Sequence, residues 1–157
     1  MSDLTVMKGF PNPPSKDRTA HRLTNEQLNN EWMEFANTSG RELSLNGVKL
    51  LDYTFNHACQ KTSEKTVIEF VNNLAAGHSV RVHTGTGTAY TEGTVRHVFA
   101  GHGNFVWNNA CGDTAILRNG HGTLIDWASY EPNPPEVVLY RVPNTNRLSP
   151  VAATRTA

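Results

Sequence analysis

Residues 111–121 contain the side-chain types of a cysteine-dependent hydrolase, with Cys111, Asp113 and His121 close together in sequence. In such an enzyme a base activates the thiolate, and nearby donors stabilise the oxyanion. Rigid elements must hold these groups, but neighbouring Gly and Asn residues place all three in connections between strands. Asp113 has a simpler role, because a carboxylate after a glycine can accept backbone N–H bonds and fix a turn. We therefore predict no catalytic residues and no enzyme activity.

Seven histidines raise the question of a metal site. No HxxxH, HExxH or combined Cys and His spacing organises them, so we predict no metal ligands; His97 and His102 are the first pair to test. The Gly-rich stretch at residues 83–93 resembles a phosphate loop, but a strand rather than a helix is expected after it. We predict no cofactor.

Overall composition limits the classes of partner. Fourteen Lys and Arg balance fourteen Asp and Glu, so no general positive field favours nucleic acid. No apolar run is long enough to span a membrane, and the N-terminus lacks the apolar core of a signal peptide. These features predict a cytoplasmic or virion-associated protein. For Cys59 and Cys111, we expect two reduced thiols rather than a disulfide bridge. Their spacing leaves a bridge possible.

Short segments of alternating hydrophobicity, separated by Gly and Asn, predict an all-β protein. In "EWMEFAN" the pattern places Met33 and Phe35 on one face, with Trp32 and Glu34 on the other. The pair Asn46-Gly47 suits a type I′ turn between two strands, and Asn119-Gly120 predicts a hairpin between the last two long strands. Further strands are expected in "TVIEFVN", "LAAGHSVRVHTG", "GTVRHVFAG", "NFVW", "DTAILRN" and "GTLIDWASY".

Both ends of the chain carry the same Pro-rich tetrapeptide, PNPP, which favours extended polyproline geometry. We therefore predict an extended N-terminal arm at residues 1–29 and an extended C-terminal arm at 131–157, around a sandwich at 30–130 that folds without them. The segment 136–142 has strand character and can add to the edge of a sheet. The residues expected to contact partners are Phe10, Pro11, Pro13, Pro14, Pro132, Pro134, Pro135, Val138 and Tyr140.

Two regions are expected to form loops. Residues 53–65 show no clean periodicity, and residues 84–104 contain several Gly residues. Whether they bind a ligand is left open. Thr24 followed by Gln27 can cap a single helical turn.

The order of motifs resembles the lamin tail domain family. The resemblance covers about residues 30–130, in "EWMEFANTSGRELSLNGVKLLD", "LAAGHSVRVHTGTGT" and "VWNNACGDTAILRNGHGTLIDWASY". It implies an immunoglobulin-like, two-sheet antiparallel β-sandwich. The turns that carry the resemblance contain Trp107, Asn108, Asn109, Gly112, Asp113, Asn119 and Gly120, and a closing strand supplies Asp126 and Tyr130. No heptad repeat precedes residue 31, so a filament-forming lamin is not expected.

The resemblance also implies a binding or tethering module rather than a catalyst. With the Pro-rich ends, it leads us to expect a structural or interaction protein whose arms dock on protein subunits of an oligomeric assembly, such as a virion or a surface lattice. The alternative is a module that binds carbohydrate or nucleic acid, although the neutral charge makes nucleic acid the weaker candidate.

Overall fold

The computed structural model describes residues 2–14, 16 and 23–151. This part of the chain is a β-sandwich with one short helix, α1 (Asn25–Asn29). The strands are β1 (Leu4–Phe10), β2 (Trp32–Asn37), β3 (Leu43–Ser44), β4 (Lys49–Phe55), β5 (Lys61–Glu69), β6 (Asn73–Leu74), β7 (Ser79–His83), β8 (Tyr90–Glu92), β9 (Val95–Phe99), β10 (Asp113–Arg118), β11 (Leu124–Tyr130), β12 (Leu139–Arg141) and β13 (Leu148–Ser149).

The strands form two main sheets and a small two-stranded one. The order in the larger sheet is β13-β12-β1-β2-β7-β9-β8, and the order in the smaller main sheet is β11-β10-β4-β5. Strands β3 and β6 pair separately. The prediction of an all-β, immunoglobulin-like sandwich is confirmed, with one exception to antiparallel pairing among the described strands: β7 and β9 run parallel. No helix in the described part of the chain is both long and apolar enough to cross a membrane.

Alternating side chains of the two sheets build one hydrophobic core. In β2, Met33 and Phe35 are buried in the core, as predicted. Trp32 and Glu34 lie on the opposite face, where Arg81 covers both: its guanidinium stacks 3.8 Å from the Trp32 ring and donates to Glu34 Oε1 at 2.8 Å. The largest fully buried side chains are Trp107, Phe35, Met33, Leu45, Leu50, Leu74, Leu117 and Leu139.

The N-terminal segment differs from the extended arm expected at residues 1–29. Strand β1 lies inside the larger sheet, pairing with β2 on one side and β12 on the other. Leu4 and Val6 are buried in the core. The hydrophobic alternation of β1 is short and runs directly into the Pro-rich tetrapeptide. The prolines therefore led to the prediction of an arm. The sandwich in the structure therefore includes β1 in addition to residues 30–130.

The C-terminal segment also belongs to the sandwich. Within the expected strand at 136–142 only Leu139–Arg141 forms β12, and β13 follows it. The two Pro-rich segments contact each other, since Asn12 Nδ2 donates to the carbonyl of Pro134 at 2.7 Å. Of the residues assigned to partner contacts, Pro11, Pro13 and Pro134 are buried, Phe10 and Val138 are half-buried, and Pro14, Pro132, Pro135 and Tyr140 are exposed.

Other local expectations have mixed outcomes. Residues 53–65 form the hairpin of β4 and β5 rather than a loop. Residues 84–104 contain β8 and β9, and β9 lies in the segment "GTVRHVFAG", where a strand was expected. The "NFVW" segment is not a strand. The first part of strand β5 was not predicted, because its side chains are mostly polar and show little hydrophobic alternation.

The predicted turns are mostly present. The Asn119-Gly120 hairpin connects β10 and β11, and the Thr24–Gln27 capping box starts α1. At Asn46-Gly47 only the glycine has positive φ, at 82°, so the turn is not type I′. It connects β3 with β4, which lie in different sheets.

Substitution of Val6 tests the internal position of β1. We expect Val6→Ala to lower the free energy of unfolding by about 2 kcal/mol, because it leaves a cavity in the core. The matched control is Met7→Ala, since Met7 is 37% exposed and should cost clearly less. Urea denaturation measures both. Small, equal effects would show that β1 lies outside the core.

Candidate functional site

The turn before β10 is organised by the carboxylate of Asp113. Its Oδ1 accepts from the backbone N–H groups of Tyr53 (3.2 Å) and Thr114 (2.8 Å), and its Oδ2 accepts from that of Asn108 (3.1 Å). Gly112 has φ of 71°, and a side chain there would collide with the carbonyl of Tyr130. Asp113 therefore has the turn-fixing role expected of it, and Gly112 is required on both conformational and steric grounds.

A disulfide joins Cys59 to Cys111, which corrects the expectation of two reduced thiols. The two residues are 52 positions apart, so spacing alone gave no sign of their proximity. The tip of the β4–β5 hairpin, where Asn56 N–H donates to the Gln60 carbonyl, carries Cys59 to the turn before β10. The sulfur of Cys111 is thus unavailable as a nucleophile. His121 lies in the β10–β11 turn, where its backbone N–H donates to Asn119 Oδ1.

Two buried carboxyl groups meet beneath this turn. Asp52 and Asp113 are each 3% exposed. Burial, and then the neighbouring charge of Asp113, raises the pKa of Asp52 to about 9. Asp52 is therefore protonated at neutral pH and hydrogen-bonds to Asp113. No described group bonds to the Oδ1 atom of Asp52, which agrees with a neutral carboxyl.

A third buried acid, Glu31, binds a cation and several N–H and O–H groups. Its Oε2 accepts from Lys16 Nζ at 2.7 Å and from the N–H of Trp107 at 3.1 Å. Its Oε1 accepts from Thr84 Oγ1 at 2.6 Å and from the N–H of Val106 at 2.9 Å. Burial raises the pKa of Glu31, and Lys16 partly opposes this effect. This site was not predicted from the sequence, because its members are far apart in the chain.

His97 and His102, the first pair to test as metal ligands, have different partners. His97 lies beside His83, with Nδ1 of the former 2.8 Å from Nε2 of the latter, while His102 Nε2 contacts the carbonyl of Val67. The ring of Tyr90 stacks on His97 with centroids 4.4 Å apart. Among the residues that the structure describes, no group of three or more His, Cys, Asp or Glu side chains could hold a metal ion.

The outer face of the four-stranded sheet carries a shallow cavity of about 210 Å³. Its floor is Ile116, and the exposed side chains of Trp127 and Leu124 lie at its side. Two cations line it: Lys61, 4.4 Å from the ring of Tyr53, and Arg118. Trp127 is therefore available for ring stacking, whereas Trp32 and Trp107 are buried.

Comparison with known proteins identifies a family. A family model described as Lamin Tail Domain matches residues 6–132, which covers most of the chain. The matched part ends before β12 and β13. No curated protein matches the sequence.

The Asp52–Asp113 pair predicts a dependence of stability on pH. An aspartate in the unfolded chain has a pKa of about 3.9, and the folded-state value of Asp52 is higher. The stability linked to this proton is complete below the unfolded pKa and is lost as the pH rises toward about 9.

We expect Asp52→Asn, which is neutral at every pH, to flatten the fall in the urea midpoint between about pH 5 and pH 9. Asp3→Asn is the matched control, since Asp3 pairs with Arg41 on the surface. Its profile should follow that of the unsubstituted protein. Parallel slopes for all three proteins would contradict a proton held by Asp52.

Proposed function

The chain belongs to the lamin tail domain family, and we propose that it is a non-enzymatic interaction module that binds partner proteins through the free edge of its four-stranded sheet. The family indicates an immunoglobulin-like module of protein interaction, and the proposal adds the surface. Support for the surface comes from β5, the longest strand in the described part of the chain.

Strand β5 is the open edge of its sheet. It pairs with β4 on one side, and no described strand pairs with its other side. Its first six residues are exposed. Backbone N–H and C=O groups along such an edge can pair with an extended segment of another protein.

The opposite edge of the same sheet is covered by the chain itself. Beside β11, the N–H of Ser129 donates to the carbonyl of Asn146, and Asn146 Nδ2 donates to the carbonyl of Trp127. Two backbone groups at this edge, the N–H of Ser129 and the carbonyl of Trp127, are thus bonded within the chain. The contrast supports β5 as the edge that accepts a partner.

The charges of β5 indicate the chemistry of the partner strand. Lys61, Glu64, Lys65 and Glu69 give the strand alternating signs. Glu64 is already paired with Arg118 at 2.8 Å, which leaves two lysines and one glutamate, Glu69, for a partner, an excess of positive charge. We therefore propose an extended segment carrying acidic residues, paired with β5 as an added strand.

We further propose that the module is a subunit of an oligomeric assembly, such as a virion or a surface lattice. The disulfide favours a virion or a surface over the cytoplasm, because cytosolic thiols are usually kept reduced. The Pro-rich segments contribute to the module's own fold, so Pro14, Pro132, Pro135 and Tyr140 are the residues assigned to partner contacts that remain exposed.

Reversal of the two lysine charges tests this function. We expect Lys61→Glu/Lys65→Glu to weaken capture of a partner from source extracts at least about tenfold, and hydrogen exchange on the recovered complex to show protection confined to β5. The matched control, Lys49→Glu, changes the same charge on the inner strand β4. Equal loss in the control, or protection elsewhere in the complex, would reject the β5 edge.

A second candidate function is binding of carbohydrate or nucleic acid at the outer-face cavity. The supporting observation is the combination of exposed Trp127 with Lys61 and Arg118 around an apolar floor. Aromatic rings stack on sugars and bases, and cations attract phosphate or acidic sugars.

Glycan arrays and DNA titration at low salt measure this activity. If it exists, Trp127→Ala should weaken binding at least about tenfold, through loss of a stacking contact. Tyr140→Ala is the matched control, because Tyr140 is also exposed and lies outside the cavity. Absence of any ligand with a Kd below about 1 mM would exclude this function.

A further inference from the structure

The amine of Lys16 is buried among oxygen atoms from three parts of the chain. Nζ lies 2.7 Å from Glu31 Oε2, 2.7 Å from the carbonyl of Pro11 and 3.2 Å from Asn109 Oδ1, and it also donates to the carbonyl of Trp107. Four oxygens therefore surround a nitrogen that has three protons as an ammonium. The contact with Asn109 Oδ1 is the longest of the four, and it places the carboxamide against the nitrogen.

We propose that Lys16 and Asn109 form an intramolecular isopeptide bond, with Glu31 carrying the protons. The three required groups are present: an amine as nucleophile, a carboxamide as electrophile, and a carboxyl group in contact with the amine. The proposal is independent of the interaction function, since it concerns a bond within the chain.

Both members of the Lys16–Glu31 pair are buried. The side chains of Lys16 and Glu31 are 4% and 0% exposed, so both charged forms lose their hydration. Transfer of one proton from the ammonium to the carboxylate neutralises both groups at once. The raised pKa of Glu31 acts in the same direction. The ring of Phe105, 5.2 Å from Nζ, provides an apolar neighbour.

The carboxamide of Asn109 is held in one orientation. Its Nδ2 donates to Asn12 Oδ1 at 2.9 Å, while Oδ1 lies toward Lys16. The backbone of Asn109 is fixed as well, because its carbonyl accepts from the N–H of Asn133 at 2.7 Å. Groups held in contact in this way react as if at very high concentration.

The reaction needs no oxidant or added reagent. Lys16 Nζ gives a proton to Glu31, and the neutral amine attacks Cγ of Asn109, forming the N–C bond as the C=O electron pair moves to Oδ1. Glu31 then gives its proton to Nδ2 and accepts one from Nζ. The C=O bond reforms, the Cγ–Nδ2 bond breaks, and Nδ2 leaves as ammonia. The product is a secondary amide between the two side chains.

Mass spectrometry of the full-length, disulfide-reduced chain tests the proposal. We expect a mass about 17 Da below that of the sequence, equal to one ammonia, and a branched proteolytic peptide that joins Lys16 to Asn109. Lys16→Arg should retain the full mass, and Glu31→Gln should retain it or lose ammonia much more slowly. Lys8→Arg, a substitution at a partly exposed lysine, is the control that should still lose ammonia.

Two results would overturn the proposal. One is a full mass for the unsubstituted chain after prolonged incubation in the folded state, a measurement that does not depend on any variant folding. The other is an ammonia loss that persists in Lys16→Arg, which would assign it to succinimide formation at an asparagine such as Asn46 or Asn119, each of which precedes a glycine.

Discussion

The buried carboxyl group of Glu31 joins three segments that are far apart in the chain. It accepts hydrogen bonds from Lys16 near the N-terminus, from Thr84 after β7, and from the backbone at Val106 and Trp107. Removal of one member of a buried ion pair typically costs about 3–5 kcal/mol, because the other charge remains buried without its partner. Glu31 thus fixes both the path of the N-terminal segment and the position of the large Trp107 ring in the core.

Asp126 is a further buried acid, and it contacts segments from both ends of the chain in the larger sheet. The register of β1 against β2 shifts between Val6 and Lys8, and such a bulge disrupts the ladder locally. Asp126 Oδ2 accepts from the N–H of Val6 at 2.8 Å, and Arg141 donates to the carbonyl of Val6 at 2.7 Å. Arg141 also pairs with Asp126 at 3.0 Å. The backbone N–H and C=O groups of Val6 at the bulge in β1 are therefore hydrogen-bonded by side chains from β11 and β12.

The sandwich was predictable from the sequence because its central strands alternate clearly, as in β2 and β7, and because the turn around Asp113 has a distinctive composition. The place of β1 in the sheet was not predicted, because the signal of Leu4 and Val6 is short and the adjacent prolines suggested an arm. The Cys59–Cys111 bridge and the Lys16–Glu31 pair were not predicted either. These contacts join distant residues, and their proximity depends on the completed fold.

The way in which the sandwich protects its sheet edges limits where another protein can bind. In the larger sheet, the edge strands β13 and β8 have only two and three residues, so neither offers a long row of backbone groups. In the smaller sheet, Asn146 covers β11. Strand β5 combines length with exposure, and its charges discourage unselective pairing while they favour a complementary strand. Within the described part of the chain, the physical requirements of strand addition are therefore best met at β5.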